Sequence, residues 1–526
     1  MPLRILLILL VLSSASLLPA QEESFNKRYY FGYAAATING IYPTDSCIYI
    51  TGLLVYTVYL NTGLFIAKLN TEGSVTSYRT YFEDGVDVEN WHGGLEPIDS
   101  RLGSSIVMKG ASRKSGLALF DAQLNLVDTI LKESLFAPEE TFMRPAALCV
   151  NSKSQILLSS YAINPVGTNN SETVLWLLKL DSDFEWIDYY GTTFFWESPN
   201  SISSSNCDFT IGSTKSNLNR VRKNYTFQHH IYAIDTLGNV QWNYLSPIDQ
   251  LLSKGVSIYA EPDGSVIAAS FKGEEFSVNA VSGAINWSTA YIYKLNPQHQ
   301  LEWEVEFHEP FPTMFGSSLT KIIKASDGTG YLAAGNIHRV ISFQPPDADS
   351  DGWLVKVSPE GDSLWSRHYR FFEEGVDGET HEIFELKEMP GGGYLMGGQT
   401  IYGNEPTGPI QCGWLLRVDE EGCLVPGCHL VSTEEEAAAP ALSLHLYPNP
   451  AQEYLYVLLR DAGIARRRGA ALQLLDLQGR ILQSHPASRI DEVTSILPVP
   501  GLPAGAYVLR YVADGQVLAA ERVVVR

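Results

Sequence analysis

One self-similar unit recurs along this chain and narrows its fold more than any other feature. Tyr232-Ala-Ile-Asp-Thr-Leu-Gly-Asn-Val-Gln-Trp242, Tyr293-Lys-Leu-Asn-Pro-Gln-His-Gln-Leu-Glu-Trp303 and Val355-Lys-Val-Ser-Pro-Glu-Gly-Asp-Ser-Leu-Trp365 share one pattern. Each is an apolar strand, a tight polar turn and a second strand opening on a Trp. Weaker copies run through Lys68 to Tyr81, Phe120 to Ile130, Lys179 to Tyr190 and Leu416 to Cys428. With the apolar residue before the turn as landmark, the series is Leu69, Phe120, Leu180, Ile234, Leu295, Val357 and Val418, at steps of 51, 60, 54, 61, 62 and 61. A second hairpin lies between landmarks, as in Ala260 to Ala269, Ala325 to Ala334 and Glu388 to Gly397, where Asp-Gly or Gly-Gly supplies the positive φ of tight turns.

Two hairpins per unit make four short antiparallel strands, and a repeat of this length implies radial or solenoid stacking. The expected fold class is all-β: a seven-bladed β-propeller, with six or eight blades left open because the second unit is degenerate, then a small antiparallel immunoglobulin-like β-sandwich. A ring must join its ends, because an open blade leaves unpaired edges. The last unit loses its Trp-bearing outer strand after Gly422, whereas Ser24-Phe-Asn-Lys-Arg-Tyr-Tyr-Phe31 resembles an outer strand without a blade. The N-terminal strand is therefore expected to complete the last blade.

The expected domains are a signal peptide at 1–20, a propeller at 21–430, a linker at 431–440 and a C-terminal module at 441–526. Arg4 precedes an apolar run from Ile5 to Leu12 and small residues ending at Ala15 or Ala20, the layout of a cleavable export signal with either cut site open. The run is far shorter than the ~20 apolar residues a bilayer needs, and no second such run follows, so no transmembrane segment is expected in the mature chain. Of the formal net charge of −22, residues 441–526 contribute +2 from nine Lys/Arg and seven Asp/Glu, which leaves −24 for the rest. That surface repels phosphate backbones and argues against nucleic acid as a partner.

The C-terminal module shows alternating strands at Leu442 to Tyr447, Tyr454 to Leu459, Ala471 to Leu477, Thr494 to Pro498, Ala506 to Val512 and Val517 to Val525. Four places are specific: Tyr447-Pro448-Asn449-Pro450 before a strand, Asp476-Leu-Gln-Gly479-Arg480 at a hairpin, Leu502-Pro-Ala-Gly505-Ala-Tyr507-Val508, and a β-branched ending. The module resembles the type A C-terminal sorting domain of type IX secretion cargo in Bacteroidota. That resemblance implies a partner in the type IX secretion machinery, passage through periplasm and outer membrane, and a secreted or cell-surface product. Gly479 and Gly505 fit turns, and Pro448 and Pro450 an extended entry. The propeller half resembles, more diffusely, the Gly- and Trp-containing propellers of such cargo, which implies fold and no particular chemistry.

Candidate chemistry is sparse. Asp347-Ala-Asp349-Ser-Asp351-Gly352 places alternating carboxylates where Ca²⁺ could take oxygen ligands, although Ser358 stands where an EF-hand loop needs Glu. Phe82-Glu-Asp-Gly-Val-Asp87 before Trp91 and His92, and Phe372-Glu-Glu-Gly-Val-Asp377 before His381, make Trp91, His92 and His381 ligand-face candidates, with repeat ancestry as the plainer explanation. No Gly-x-Ser-x-Gly elbow, His-Glu-x-x-His pair or phosphate-cradling loop occurs, so no catalytic residue is nominated. Trp242, Trp303 and Trp365 are expected to pack blades, and Cys423 with Cys428 can oxidise, Cys412 competing for either. The long connections from second to third strand and from blade to blade should emerge on one face, where binding function is normally placed. The reading is a secreted or surface binding protein that recognises a glycan, peptide or protein partner through that face. The alternative is a hydrolase or lyase working in the central funnel.

Overall fold

The computed structural model describes residues 24–525 apart from 58–59, 84, 91–93, 111–112, 134–141, 153–155, 164–170, 180–184, 190–196, 206–207, 220–223, 236–238, 248–254, 277–284, 308–313, 344–345, 372–379, 403–409, 426–427, 429–442, 448–450, 452–453, 461–470, 477–479, 487–494, 500, 504 and 514–515. The expected leader and linker lie outside the described residues. The chain divides into two compact units, one holding nearly all of the repeats and the other Leu430–Arg526 with His308–Phe315 and Arg339–Ile341.

The repeat unit is a β-propeller. Its first blade runs Gly40–Pro43, Ile48–Thr57, Leu60–Leu69 and Val75–Tyr81, each strand antiparallel to the one before. Similar groups follow from Asp87 to Glu133, Phe142 to Tyr189, Glu197 to Leu245, Ser257 to Phe307 and Met314 to Tyr369. The degenerate second unit has its inner strand broken into Asp87–Glu89 and Glu96–Ile98, both paired with Arg101–Lys109. The last group has Thr380–Glu388, Tyr394–Tyr402 and Ile410–Val418, and its outer strand is Phe25–Tyr29, with Phe25 opposite Arg417 and Tyr29 opposite Gly413. The first strand of the described chain thus closes the ring on the last blade. Among the described residues these groups are numbered as blades 1 to 7 in that order.

The sequence landmark has a structural meaning. The third and outer strands slip register at Lys68/Leu69, Leu119/Phe120, Ala233/Ile234, Lys294/Leu295 and Lys356/Val357, so the landmark sits at a β-bulge with its side chain buried. The next residue is polar and folds the turn by accepting the amide four positions on: Asn70 from Ser74 at 2.7 Å, Asp121 from Asn125 at 2.8 Å, Asp235 from Asn239 at 2.8 Å and Asp419 from Cys423 at 2.7 Å.

Outer-strand aromatics reach across to the turn of the following blade. Trp303 donates from Nε1 to Pro359 O at 3.1 Å, Trp242 stacks on His299 at 3.7 Å, and Trp365 lies against Gly422. Gly361, at φ +96°, has Trp303 where a Cβ would stand, so Gly suits this blade in both conformation and space, whereas blade 5 holds His299 at φ +59° in the same place. The three Trp therefore pack blades, as expected from their recurrence. The hydrophobic clusters follow the same logic and lie between neighbours: Ile48, Ile50 and Phe65 of blade 1 pack with Leu395 and Leu415 of blade 7, and Leu64 and Ile66 with Leu102 and Ile106 of blade 2. Each fully buried aliphatic side chain contributes ~2 kcal/mol relative to exposure, and a single blade could bury neither face alone.

The second unit is a two-sheet sandwich. One sheet holds Ser443–Tyr447, Tyr454–Arg460 and Ser495–Pro498; the other holds Ile481–Pro486, Ala471–Leu475, Gly505–Ala513 and Gln516–Val525. Leu455, Val457, Leu472, Leu474, Tyr507, Leu509 and Val523 fill the space between them. Ile481–Pro486 is the strand that the reading of apolar runs left unassigned, since Gln483, Ser484 and His485 dilute its pattern.

Candidate functional site

The inner strands meet around the propeller axis, and several of their charges pair near the hairpin turns, while Lys109 and Glu89 pair at the opposite end at 2.6 Å. Lys387, one residue from the end of Thr380–Glu388, has Nζ 2.7 Å from Glu96 Oε1 on the inner strand of blade 2. Blades 7 and 2 flank blade 1, so this pair bridges past the blade between them. Lys321 of blade 6 lies 3.0 Å from Glu385 Oε1, and Lys324 lies 2.8 Å from Glu261, which also accepts the Tyr331 hydroxyl at 2.7 Å. Desolvation draws the Lys387 pKa down, but Glu96 and Glu385 outweigh it and the net shift is upward. Lys387 therefore remains a cation and is no general base at neutral pH.

Cys149, on the inner strand of blade 3, faces the same charges. Burial and the Glu96 charge push its thiol up to about 12, which keeps it protonated and poorly nucleophilic. His229 lies between blades 4 and 5, where burial lowers its pKa to about 3. Its Nδ1 is 3.0 Å from the Tyr293 hydroxyl and 3.2 Å from that of Tyr291, and Nε2 is 3.0 Å from Ser270 Oγ, which donates to Gly255 O at 2.5 Å. With the Ser270 proton committed to a carbonyl, Nε2–H donates to Oγ and Nδ1 accepts from tyrosine. Ser270 and His229 touch in the wrong polarity for an activated nucleophile.

The residues singled out by sequence take the following places. His381 is 1 % exposed and accepts the Phe371 amide on Nε2 at 2.9 Å, so its Nδ1–H donates to Ser350 O at 3.1 Å. It latches the exit of blade 6 to the inner strand of blade 7. Trp91 and His92 lie outside the described residues. Asp347, Asp349 and Asp351 fall on one extended strand, Pro346–Val357. Alternate residues of an extended strand stand ~7 Å apart along it. The side chains of Asp347 and Asp349 lie outside the described residues; that of Asp351 is buried and engaged by Arg370 Nε, with His368 Nδ1 3.8 Å away. Among the described residues, no group of three or more His, Cys, Asp or Glu could hold a metal ion. Cys423 and Cys428 are joined as a disulfide, and Cys412, buried, is not part of it.

Sequence reasoning missed an aromatic cluster at the opposite end, where second strands finish and blades connect. Phe31, Tyr33, Tyr56, Tyr78 and Phe82 gather at the seam between blades 7 and 1, with Tyr56 65 % and Tyr78 45 % exposed. Tyr33 stacks on Phe82 at 5.1 Å, Tyr56 meets Phe82 edge-on at 6.1 Å, and Phe31 lies 5.3 Å from Tyr78 and 4.4 Å from Phe65. The Tyr33 hydroxyl donates to Thr80 Oγ1 at 3.2 Å. The signal was available as period-two alternation, Tyr78-x-Thr80-x-Phe82, which puts Tyr78 and Thr80 on one face of an outer strand with Phe82 just past its end.

In the C-terminal unit, Pro448, Asn449, Pro450 and Gly479 lie outside the described residues. Tyr507 is buried and donates its hydroxyl to Pro503 O at 2.6 Å. Gly505, expected in a turn, instead opens a strand opposite Val525; the turn's left-handed residue is Gly501, at φ +90°.

No curated protein matches the chain. Among solved structures, Drosophila semaphorin 2a is similar at 9 % identity and a TM-score of 0.42, over 96 % of this chain and 97 % of that one. A subtype N10 neuraminidase-like protein of A/little yellow-shouldered bat/Guatemala/060/2010 matches at 9 % and 0.36, over 62 % and 93 %. A protein of unknown function from Dyadobacter fermentans DSM 18053 matches at 10 % and 0.37, over 75 % and 98 %. Scores at this level carry no inference about activity. Residues 445–526 match the family described as the secretion system C-terminal sorting domain. Carrying that sorting domain, the protein is secreted or displayed at the cell surface through the type IX system.

Proposed function

We propose that the protein is an extracellular binding protein that recognises a glycan, peptide or protein partner through the loop-bearing face of its propeller, after export directed by residues 441–526. One observation carries this reading: solvent-exposed aromatic rings gather where blades 7 and 1 connect. Exposed contiguous apolar area on a protein surface marks a site of interaction with a partner or ligand.

The test is incubation of the purified full chain with pooled extracellular glycans and peptides, followed by mass spectrometry of what is retained and what is altered. Retained, unaltered ligands support a binding module. New cleavage products overturn the reading and make the channel carboxylates the first mutagenesis targets.

A further inference from the structure

We infer that the aromatic platform of blade 1 is a docking site for a neutral glycan, an assignment that rests on the binding reading above and gives it a ligand class. The platform is built, not incidental. The chain leaves the closing strand through a tight turn, with Tyr33 N bonded to Tyr30 O at 3.2 Å and positive φ at both Phe31 (+50°) and Gly32 (+78°). A left-handed conformation at Phe31 costs ~1 kcal/mol, and stacking on Phe65 at 4.4 Å holds it. The turn aims Phe31 and Tyr33 onto the face of Val75–Tyr81 that carries Tyr78 and Thr80. Phe82 lies flat because Gly63 has no side chain: a Cβ there would come within 2.3 Å of the Phe82 ring. Three chain segments are thus shaped to hold rings at the surface.

The chemistry favours a neutral sugar. Phe31, Tyr33, Tyr56, Tyr78, Thr80 and Phe82 carry no charge at neutral pH, and every member but the two Phe carries a hydroxyl. Pyranose rings present C–H faces that stack on aromatic planes and hydroxyls that bond to tyrosine at the rim, a match to side chains with an apolar body and a polar tip. Tyr56 and Phe82 meet at 68° and Tyr33 and Phe82 at 27°, so the rings form a floor and one wall. Anionic polysaccharides are disfavoured by the formal net charge of −22. A peptide finds neither an aliphatic pocket nor a fixed charge among these six side chains.

The experiment is affinity electrophoresis of the full chain through gels containing hydroxyethyl cellulose, galactomannan or dextran, with polygalacturonate as the anionic comparison. Retardation by at least one neutral polymer is expected, weakened roughly tenfold in Tyr56→Ala and in Phe82→Ala. It should persist in Leu301→Ala, a control at an exposed residue of blade 5. Thermal melts of each variant confirm that the fold is kept. Retardation equal in wild type and both platform variants overturns the inference while leaving a glycan-binding protein. No retardation by any neutral polymer also overturns it, and retained peptides in the pooled-ligand experiment would then leave the binding reading standing. Shortened polymer chains would sink both.

Discussion

The closing strand offers the sharpest test of how this propeller is held together. Phe25 and Tyr29 are 8 % and 7 % exposed and pack into the cluster shared by blades 7 and 1. Tyr29 also donates to Gly73 O at 2.7 Å, and the Phe25 ring occupies the space beside Gly73. Replacing a core aromatic by Ala costs ~3–5 kcal/mol; residues at the propeller's rim fall at the low end, ~3 kcal/mol each. The two share Gly73 and one cluster, so their effects couple and ~6 kcal/mol is the upper bound for the pair. Unfolding about 400 residues releases ~2.1 cal/mol/K each, or ~0.8 kcal/mol/K, so a cooperative ring should lose up to ~7 °C in Tm. Calorimetry of Phe25→Ala/Tyr29→Ala against Leu301→Ala measures the shift, and amide exchange along Ile410–Val418 reports whether the seventh blade opens. A shift under ~2 °C with unchanged exchange in that strand would refute closure by the N-terminal strand as a source of stability.

Removing residues 441–526 should leave the propeller in the periplasm; surface delivery without them would show that sorting information lies elsewhere. His229 gives an acid sensitivity: with its folded pKa about 3 against ~6.5 unfolded, the neutral ring contributes stability that is full above pH ~6.5 and is lost as pH falls toward 3. Between neutrality and about pH 4 that loss is ~3 kcal/mol, so melts of His229→Gln should fall less than those of wild type. A pH-independent difference between the two would contradict the assignment. Asp351→Asn breaks the pairing with Arg370 and should destabilise by ~2 kcal/mol, less than a fully buried pair because Arg370 is partly exposed. The loss should be equal with calcium or with chelator, and a calcium-dependent difference would restore a cation-binding role to that strand.

Much of the fold was legible because a repeat states its own constraints many times. An apolar residue, a turn-forming Asp or Asn, Gly and Trp recur together because the bulge, the turn and the contact to the next blade each need one of them. The missing outer strand of the last unit and the surplus strand near the start pointed to closure by the same arithmetic. The C-terminal strands could be read from period-two alternation, except Ile481–Pro486, whose polar run hides it.

What the sequence determined by itself was therefore local and repetitive: which segments are strands, where they turn, and that the chain carries a sorting module. What only the tertiary structure decided was proximity between blades. His381 reads as a ligand-face residue in a motif, yet folding buries it between Ser350 and Phe371. Lys387 and Glu96 stand 291 positions apart and meet only because the ring closes. The aromatic platform draws on three distant segments, none of which is distinctive alone. Periodicity reports the face a side chain takes within its own sheet, whereas a site is made by faces from different sheets, and their meeting depends on a closure that no local pattern encodes.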